Sequence, residues 1–121
     1  MPPKPADQIV GAQLRVVVVP GVRIGAGKAA LLEAIQQTGS ISAAGRRIGM
    51  SYKRAWYLVE TMNAHFKAGP LVESSKGGRK GGGATLTALG EDVLDTFREM
   101  EQLADKAIGP ALRRLRRKTG A

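Results

Sequence analysis

The chain has 121 residues, 43% of them apolar, with 19 Lys and Arg against 10 Asp and Glu for a formal charge of +9. That suffices for one small domain with a modest core, and the cationic excess points to a polyanionic partner, nucleic acid or an anionic surface. The chain contains no Cys, which excludes disulfides, thiol catalysis and Cys-based metal sites.

Residues 1–12 read as a flexible, Pro-rich start. No apolar run long enough for a signal peptide follows Met1-Pro2-Pro3-Lys4-Pro5, so a cytoplasmic location is expected. Leu14 to Val19 is β-branched and short, a strand. Its apolar part is far below the roughly 20 residues of a membrane span, so no membrane partner is expected. Pro20-Gly21 is a turn dipeptide, and Val22-Arg23-Ile24 returns as a second strand. Lys28 to Gln37 is a helix with Leu31, Leu32 and Ile35 at helical spacing, ended by Gly39.

A second short helix follows, with Ser40 available as N-cap and Gly49 as its stop. Ser51 caps a third helix running to about Phe66, with Ala55, Leu58, Val59, Met62 and Phe66 on one stripe. Gly69-Pro70 breaks it. Leu71-Val72-Glu73 and Ala84-Thr85-Leu86-Thr87 read as strands flanking the basic glycine loop Lys76 to Gly83. Thr87 caps a long helix from Ala88 to about Ile108, with Leu89, Val93, Leu94, Phe97, Met100 and Leu103 on its apolar face. Gly109-Pro110 is expected to stop that helix, leaving 109–121 as a basic tail with five cations in Arg113 to Lys118. The tail reads either as an arm adding nonspecific affinity for a polyanion or as a solvated end.

The fold class is therefore mainly α with a small β component: a winged helix-turn-helix over 13–108 with a long C-terminal helix. Two helices joined by the tight Gly49-Met50 turn fit a helix-turn-helix, whose second helix presents its first residues to base edges. Ala43 and Ala44 suit the close helix contact. Ser40 to Tyr57 holds four cations (Arg46, Arg47, Lys53, Arg54) and no acid, whereas Glu91 to Asp105 holds six acids and one Arg. Clustered cations are what phosphate neutralisation requires. The candidate recognition residues are Ser51, Tyr52, Lys53, Arg54 and Tyr57. On the glycine loop Lys76, Arg79 and Lys80 would meet phosphates or the minor groove. The bland alternatives are a solvated amphipathic helix and a hairpin whose charges serve solubility. Trp56, one position off the stripe, reads as core or core-edge.

Ser40-Ile41-Ser42, Ser51 to Trp56, Met62-Asn63 and Gly77 to Thr87 resemble the amino-terminal DNA-binding domain of ModE, the molybdate-responsive transcriptional regulators. The helix-turn-helix half is also similar to LysR-type regulators. The resemblance covers roughly Val22 to Ala104. It implies a regulator binding double-stranded DNA as a homodimer, adds Ser40 and Ser42 to the DNA-facing set, and assigns the last helix to dimerisation through Leu89, Val93, Leu94, Phe97, Met100 and Leu103. That face could equally pack onto its own domain. Residues after Gly109 do not resemble the molybdate-binding modules, so molybdate or another effector is an open partner that these residues do not support. Two other functions stay open: a nonspecific or architectural nucleic-acid binder, and a winged-helix interaction module without DNA binding.

Enzyme signals fail. Gly25-Ala26-Gly27-Lys28 approaches a phosphate loop, but that pattern requires Gly where Val22 stands and Ser or Thr where Ala29 stands. His65 is the sole histidine, and no carboxylate spacing completes a metal site around it. No catalytic residue, metal or cofactor is expected.

Overall fold

The structure, a computed structural model, describes residues 8–75 and 83–120. In chain order its elements are β1 (Arg15–Val19), β2 (Val22–Gly25), α1 (Ala26–Thr38), α2 (Ile41–Arg47), α3 (Tyr52–His65), β3 (Val72–Ser75), β4 (Gly83–Leu86) and α4 (Ala88–Lys118). This is the mainly helical, winged-helix-like layout expected from the sequence.

The β-branched run of β1 folds back at Pro20-Gly21, where Gly21 takes a φ of 86° that a side chain would resist. β1 and β2 pair antiparallel, with Arg15 opposite Gly25, Val16 opposite Ile24 and Val17 opposite Arg23. Period-2 alternation sends Val16 and Ile24 toward the helices and Arg15, Val17 and Arg23 outward. Accordingly Ile24 is buried and the outward three are exposed.

Apolar residues at helical spacing bury one face of each helix. α1 contributes Leu31, Leu32 and Ile35; α3 contributes Ala55, Leu58, Val59 and Met62. They close on Ile41, Leu71, Leu94 and Phe97 in one core, where each large side chain removed from water contributes about 1.5–3 kcal/mol. The three expected Ser/Thr caps form: Ser40 Oγ accepts from the Ala43 amide at 3.1 Å, Ser51 Oγ from Arg54 at 3.1 Å, and Thr87 Oγ1 from Gly90 at 3.0 Å.

Two glycines set close approaches. A Cβ on Gly45 would stand 3.1 Å from the Met50 carbonyl oxygen and 3.3 Å from Ala55 Cβ, so this residue seats α2 against α3. Ala44 is buried beside it, while Ala43, expected in the same contact, is half-buried. A Cβ on Gly90 would fall 2.1 Å from the Leu71 carbonyl oxygen, so α4 docks on the β3 approach only because that side chain is missing.

α4 departs from expectation. It passes through Gly109-Pro110 and ends at Lys118, 31 residues in all, roughly 46 Å at 1.5 Å per residue. Pro110 removes one amide donor and crowds the preceding turn, but Ala, Leu, Arg and Lys on both sides are strong helix formers. The segment expected as a basic tail is thus the end of the helix. Among the described residues after Phe97 none is buried, so this half projects from the domain. Arg98 pins α4 to α1 through Glu33 at 2.9 Å and pairs with Glu101 at 2.8 Å. Burial works to lower the Arg98 pKa, but hydrogen bonds to Glu101 and Glu33, with their charges, outweigh it and hold the guanidinium above its ordinary value. Near the start of the chain the Ala12 amide donates to Asp105 Oδ1 at 2.8 Å, so residues expected to be flexible include one anchored to α4.

Candidate nucleic-acid interface

The Gly49 turn, with φ 72°, presents α3 with its first turn in solvent. Ser51, Tyr52, Lys53, Arg54 and Tyr57 are all exposed, while Ala55, Leu58, Val59 and Met62 hold the opposite side in the core. The apolar stripe and the candidate contact residues therefore occupy different faces of one helix, as a reader of base edges requires. Among the described residues neither Lys53 nor Arg54 forms an ion pair. The Ser51 hydroxyl accepts the cap bond and stays exposed. Trp56 is half-buried against the core, meets Tyr52 edge-on at 6.2 Å between ring centroids, and encloses an indole N–H with no hydrogen-bond acceptor among the described residues.

The serines assigned from the resemblance are more occupied. Ser40 is half-buried and its hydroxyl caps α2. Ser42 accepts from Arg46 Nη1 at 2.9 Å. On the same short helix Arg47 donates to Gln37 Oε1 at 2.9 Å. Arg46 and Arg47 remain exposed and add charge beside α3.

β3 and β4 form an antiparallel hairpin with Val72 opposite Leu86 and Ser75 opposite Gly83. The connection carrying Lys76, Arg79 and Lys80 lies outside the described residues. The base of the hairpin is fixed from two directions. The Ala84 amide donates to the Gly39 carbonyl at 2.8 Å, just after α1. Asn63, in the last turn of α3, accepts from the Leu71 amide at 2.9 Å and the Val72 amide at 3.1 Å and donates to the Val72 carbonyl at 3.0 Å. Asn63 is thus a positioning residue that ties the candidate recognition helix to the hairpin. Sequence patterning gave no role to it beyond its place in the ModE resemblance.

The residues proposed for dimerisation divide. Leu94 and Phe97 are 3% and 1% exposed and are consumed by the chain's own core, which removes them from any partner surface. Leu89 and Val93 pack at the core edge. Met100 is half-buried and Leu103 exposed, and Ile108 and Leu115 extend the exposed apolar side chains along the projecting half of α4.

Among the described residues no group of three or more His, Asp or Glu side chains is placed to hold a metal ion, and no helix is long and apolar enough to cross a membrane.

Comparison with known proteins found no matching family model. Individual proteins do match. The chain is 49% identical over 81 residues to the molybdenum-pterin-binding protein MopB of Rhodobacter capsulatus, covering 67% of this chain and 30% of MopB. It is 40% identical over 90 residues to the molybdenum transport protein ModE of Azotobacter vinelandii, covering 74% and 33%. With the DNA-binding transcriptional dual regulator ModE of Escherichia coli K12 it shares 38% over 78 residues, covering 64% and 29%. The chain is ModE-like over this segment. The match spans about a third of each relative's length, so the likeness concerns one ModE segment and not a whole ModE protein.

Proposed function

We propose that this ModE-like chain binds double-stranded DNA as a homodimer and regulates transcription. α3 enters the major groove, and the β3–β4 hairpin lies alongside as a wing with Lys76, Arg79 and Lys80 at its tip. The reading rests on one observation above all: the first two turns of α3 offer Tyr52, Lys53, Arg54 and Tyr57 together in solvent, cations unpaired among the described residues, on a helix whose other face is locked into the core. Lys53 and Arg54 suit phosphates or guanine acceptors, and the tyrosines suit hydroxyl bonds and thymine methyls. Two copies paired through the exposed side chains of α4 would read two half-sites about one helical turn apart or a multiple of it. The names of the relatives make molybdate a natural effector to test.

Selection of bound sequences from a random duplex pool, with and without molybdate, tests this. A two-fold symmetric consensus is expected, and Lys53→Ala or Arg54→Ala should weaken it by about 1–3 kcal/mol where the lost contact is a bidentate base contact. Equal affinity for every duplex would overturn the sequence-specific reading. The exposed cations Arg113 to Lys118 on α4 favour a sequence-independent contribution as well; Arg113→Gln, Arg114→Gln, Arg116→Gln and Arg117→Gln together, which keep Leu115, should lower affinity for all duplexes alike and leave the consensus intact.

A further inference from the structure

Bordering the face just described, a groove of about 750 Å³ runs between the amino-terminal hairpin, the start of α1 and the long flank of α3. Its lining includes Arg15 and Arg23 from the hairpin, Lys28 from α1, and Arg54, Tyr57 and His65 from α3, with no Asp or Glu among the described residues. The register makes this arrangement costly for the protein alone. Arg15 pairs with Gly25 and Val17 with Arg23, so the two arginines lie diagonally on the same outward face, within reach of each other. Among the described residues neither they nor Arg54 forms an ion pair. Lys28 adds a third cation behind them: its Nζ donates to the Arg23 carbonyl at 2.8 Å. Burial and then the Arg23 charge hold its pKa below the ordinary lysine value. The start of α1 opens on the same groove. Gly25 supplies no side-chain cap, and the first turn holds no acid, so among the described residues its amide donors and the positive end of the helix dipole have no anionic side chain of their own helix to meet. Like charges gathered from three elements, next to an uncapped helix start and without a carboxylate among the described lining residues, match the chemistry of a bound tetrahedral oxyanion.

We propose that this groove seats backbone phosphates of the DNA duplex, with Arg15 and Arg23 carrying the footprint from α3 onto the β1–β2 hairpin. The proposal rests on the DNA-binding reading above and extends it, because Arg54 and Tyr57 border both surfaces. Phosphate contacts of this kind position the protein without reading sequence. The hairpin arginines should therefore contribute affinity to operator and non-operator duplexes alike.

The test is the salt dependence of duplex binding by the full chain, measured on a selected operator and on a scrambled duplex of equal length. Each neutralised phosphate contributes roughly 0.9 to the slope of log affinity against log salt. Arg15→Gln with Arg23→Gln should therefore flatten the slope by about two on both duplexes and leave their affinity ratio unchanged. Gly27→Asp provides a second variant that folding cannot confound. A Cβ there meets nothing within 4 Å, and an acid in the first turn favours the helix, so this variant should melt at higher temperature yet bind both duplexes more weakly. An unchanged slope in the double arginine variant, with Lys53→Ala still impairing operator binding, would overturn the groove assignment and leave the DNA reading standing. Failure of the wild-type chain to bind any duplex would overturn both. Inorganic phosphate titrated into the DNA-free protein is the third arm. Saturable binding lost in the arginine variant, with duplex slopes unaltered, would assign the groove to a free oxyanion and overturn its assignment to DNA.

Discussion

Removing the Asn63 side chain beyond Cβ offers the sharpest test of how α3 and the β3–β4 hairpin are held in register. Asn63→Ala deletes three hydrogen bonds at 2.9, 3.1 and 3.0 Å. Their backbone partners belong to Leu71 and Val72, residues 0% and 3% exposed, so water has poor access to the groups left behind. Three bonds at a net of about 1 kcal/mol each give a loss of about 3 kcal/mol, a large share of the roughly 5–15 kcal/mol by which domains are stable. With a urea m-value of roughly 1.5–2 kcal/mol per M, the unfolding midpoint should fall by about 1.5–2 M at unchanged slope. Protein concentration must be held fixed, since association would add to apparent stability. Thr61→Ala is the control: that hydroxyl bonds the Tyr57 carbonyl one turn back on its own helix and should cost little. Amide exchange localises the effect, because Leu71 and Val72 should lose protection beyond the global change. A midpoint shift below about 0.5 M, or unaltered relative protection at Leu71 and Val72, would refute the assigned role; the expected loss is about 3 kcal/mol by the same reckoning.

Other substitutions probe separate contacts. Gly90→Ala places a methyl 2.1 Å from the Leu71 carbonyl oxygen, so α4 must shift; a loss of about 1–3 kcal/mol or more is expected in thermal melts, and a neutral result would contradict the docking of α4. Gly39→Ala meets nothing within 4 Å but must keep a φ of 73°. Its left-handed strain, about 1–2 kcal/mol, is partly offset by lower unfolded-state entropy, about 0.4–1 kcal/mol, and the net loss should be the smaller of the two. Pro110→Ala restores an amide N–H donor, and with it a helical hydrogen bond, inside α4 and relieves about 3 kcal/mol of local helix cost. Amide exchange across 106–118 should slow while the global midpoint barely moves; faster or unchanged exchange would argue against a continuous helix. Leu103→Asp combined with Leu115→Asp should leave the monomer fold intact, both positions being about 60% exposed in the chain, yet shift the proposed homodimer toward monomer in sedimentation equilibrium. A dimer that persists in the variant would place the interface elsewhere, and a monomeric wild-type chain would overturn the homodimer.

Much of this architecture is legible before any coordinates. Ser40, Ser51 and Thr87 announce helix starts because their hydroxyls have few better uses than an orphan amide, and Gly39 announces an end because it tolerates a positive φ. The α3 face follows from periodicity: a stripe at Ala55, Leu58, Val59 and Met62 dictates that Lys53, Arg54 and Tyr57 point elsewhere. What failed was tertiary. Spacing assigns Leu94 and Phe97 to an apolar face but cannot distinguish the chain's own core from a partner. The stop at Gly109-Pro110 was a local rule outweighed by strong helix formers on either side. Arg15 and Arg23 carry no motif; they acquire meaning only when the fold sets the hairpin across a groove from α3. Asn63 sits in an ordinary helical turn, and its reach to Leu71 and Val72 depends on where the chain goes after Gly69-Pro70.

α4 as a whole is also electrically ordered. Carboxylates are concentrated between Glu91 and Asp105 and cations between Arg113 and Lys118, and Glu91 in the first turn and Arg116, Arg117 and Lys118 in the last meet the nearer pole of the peptide dipoles. Laid beside a copy running the opposite way, acid faces base along both flanks; laid the same way, like faces like. The order of charges along one helix thus sets the direction in which two would pair before any apolar side chain touches.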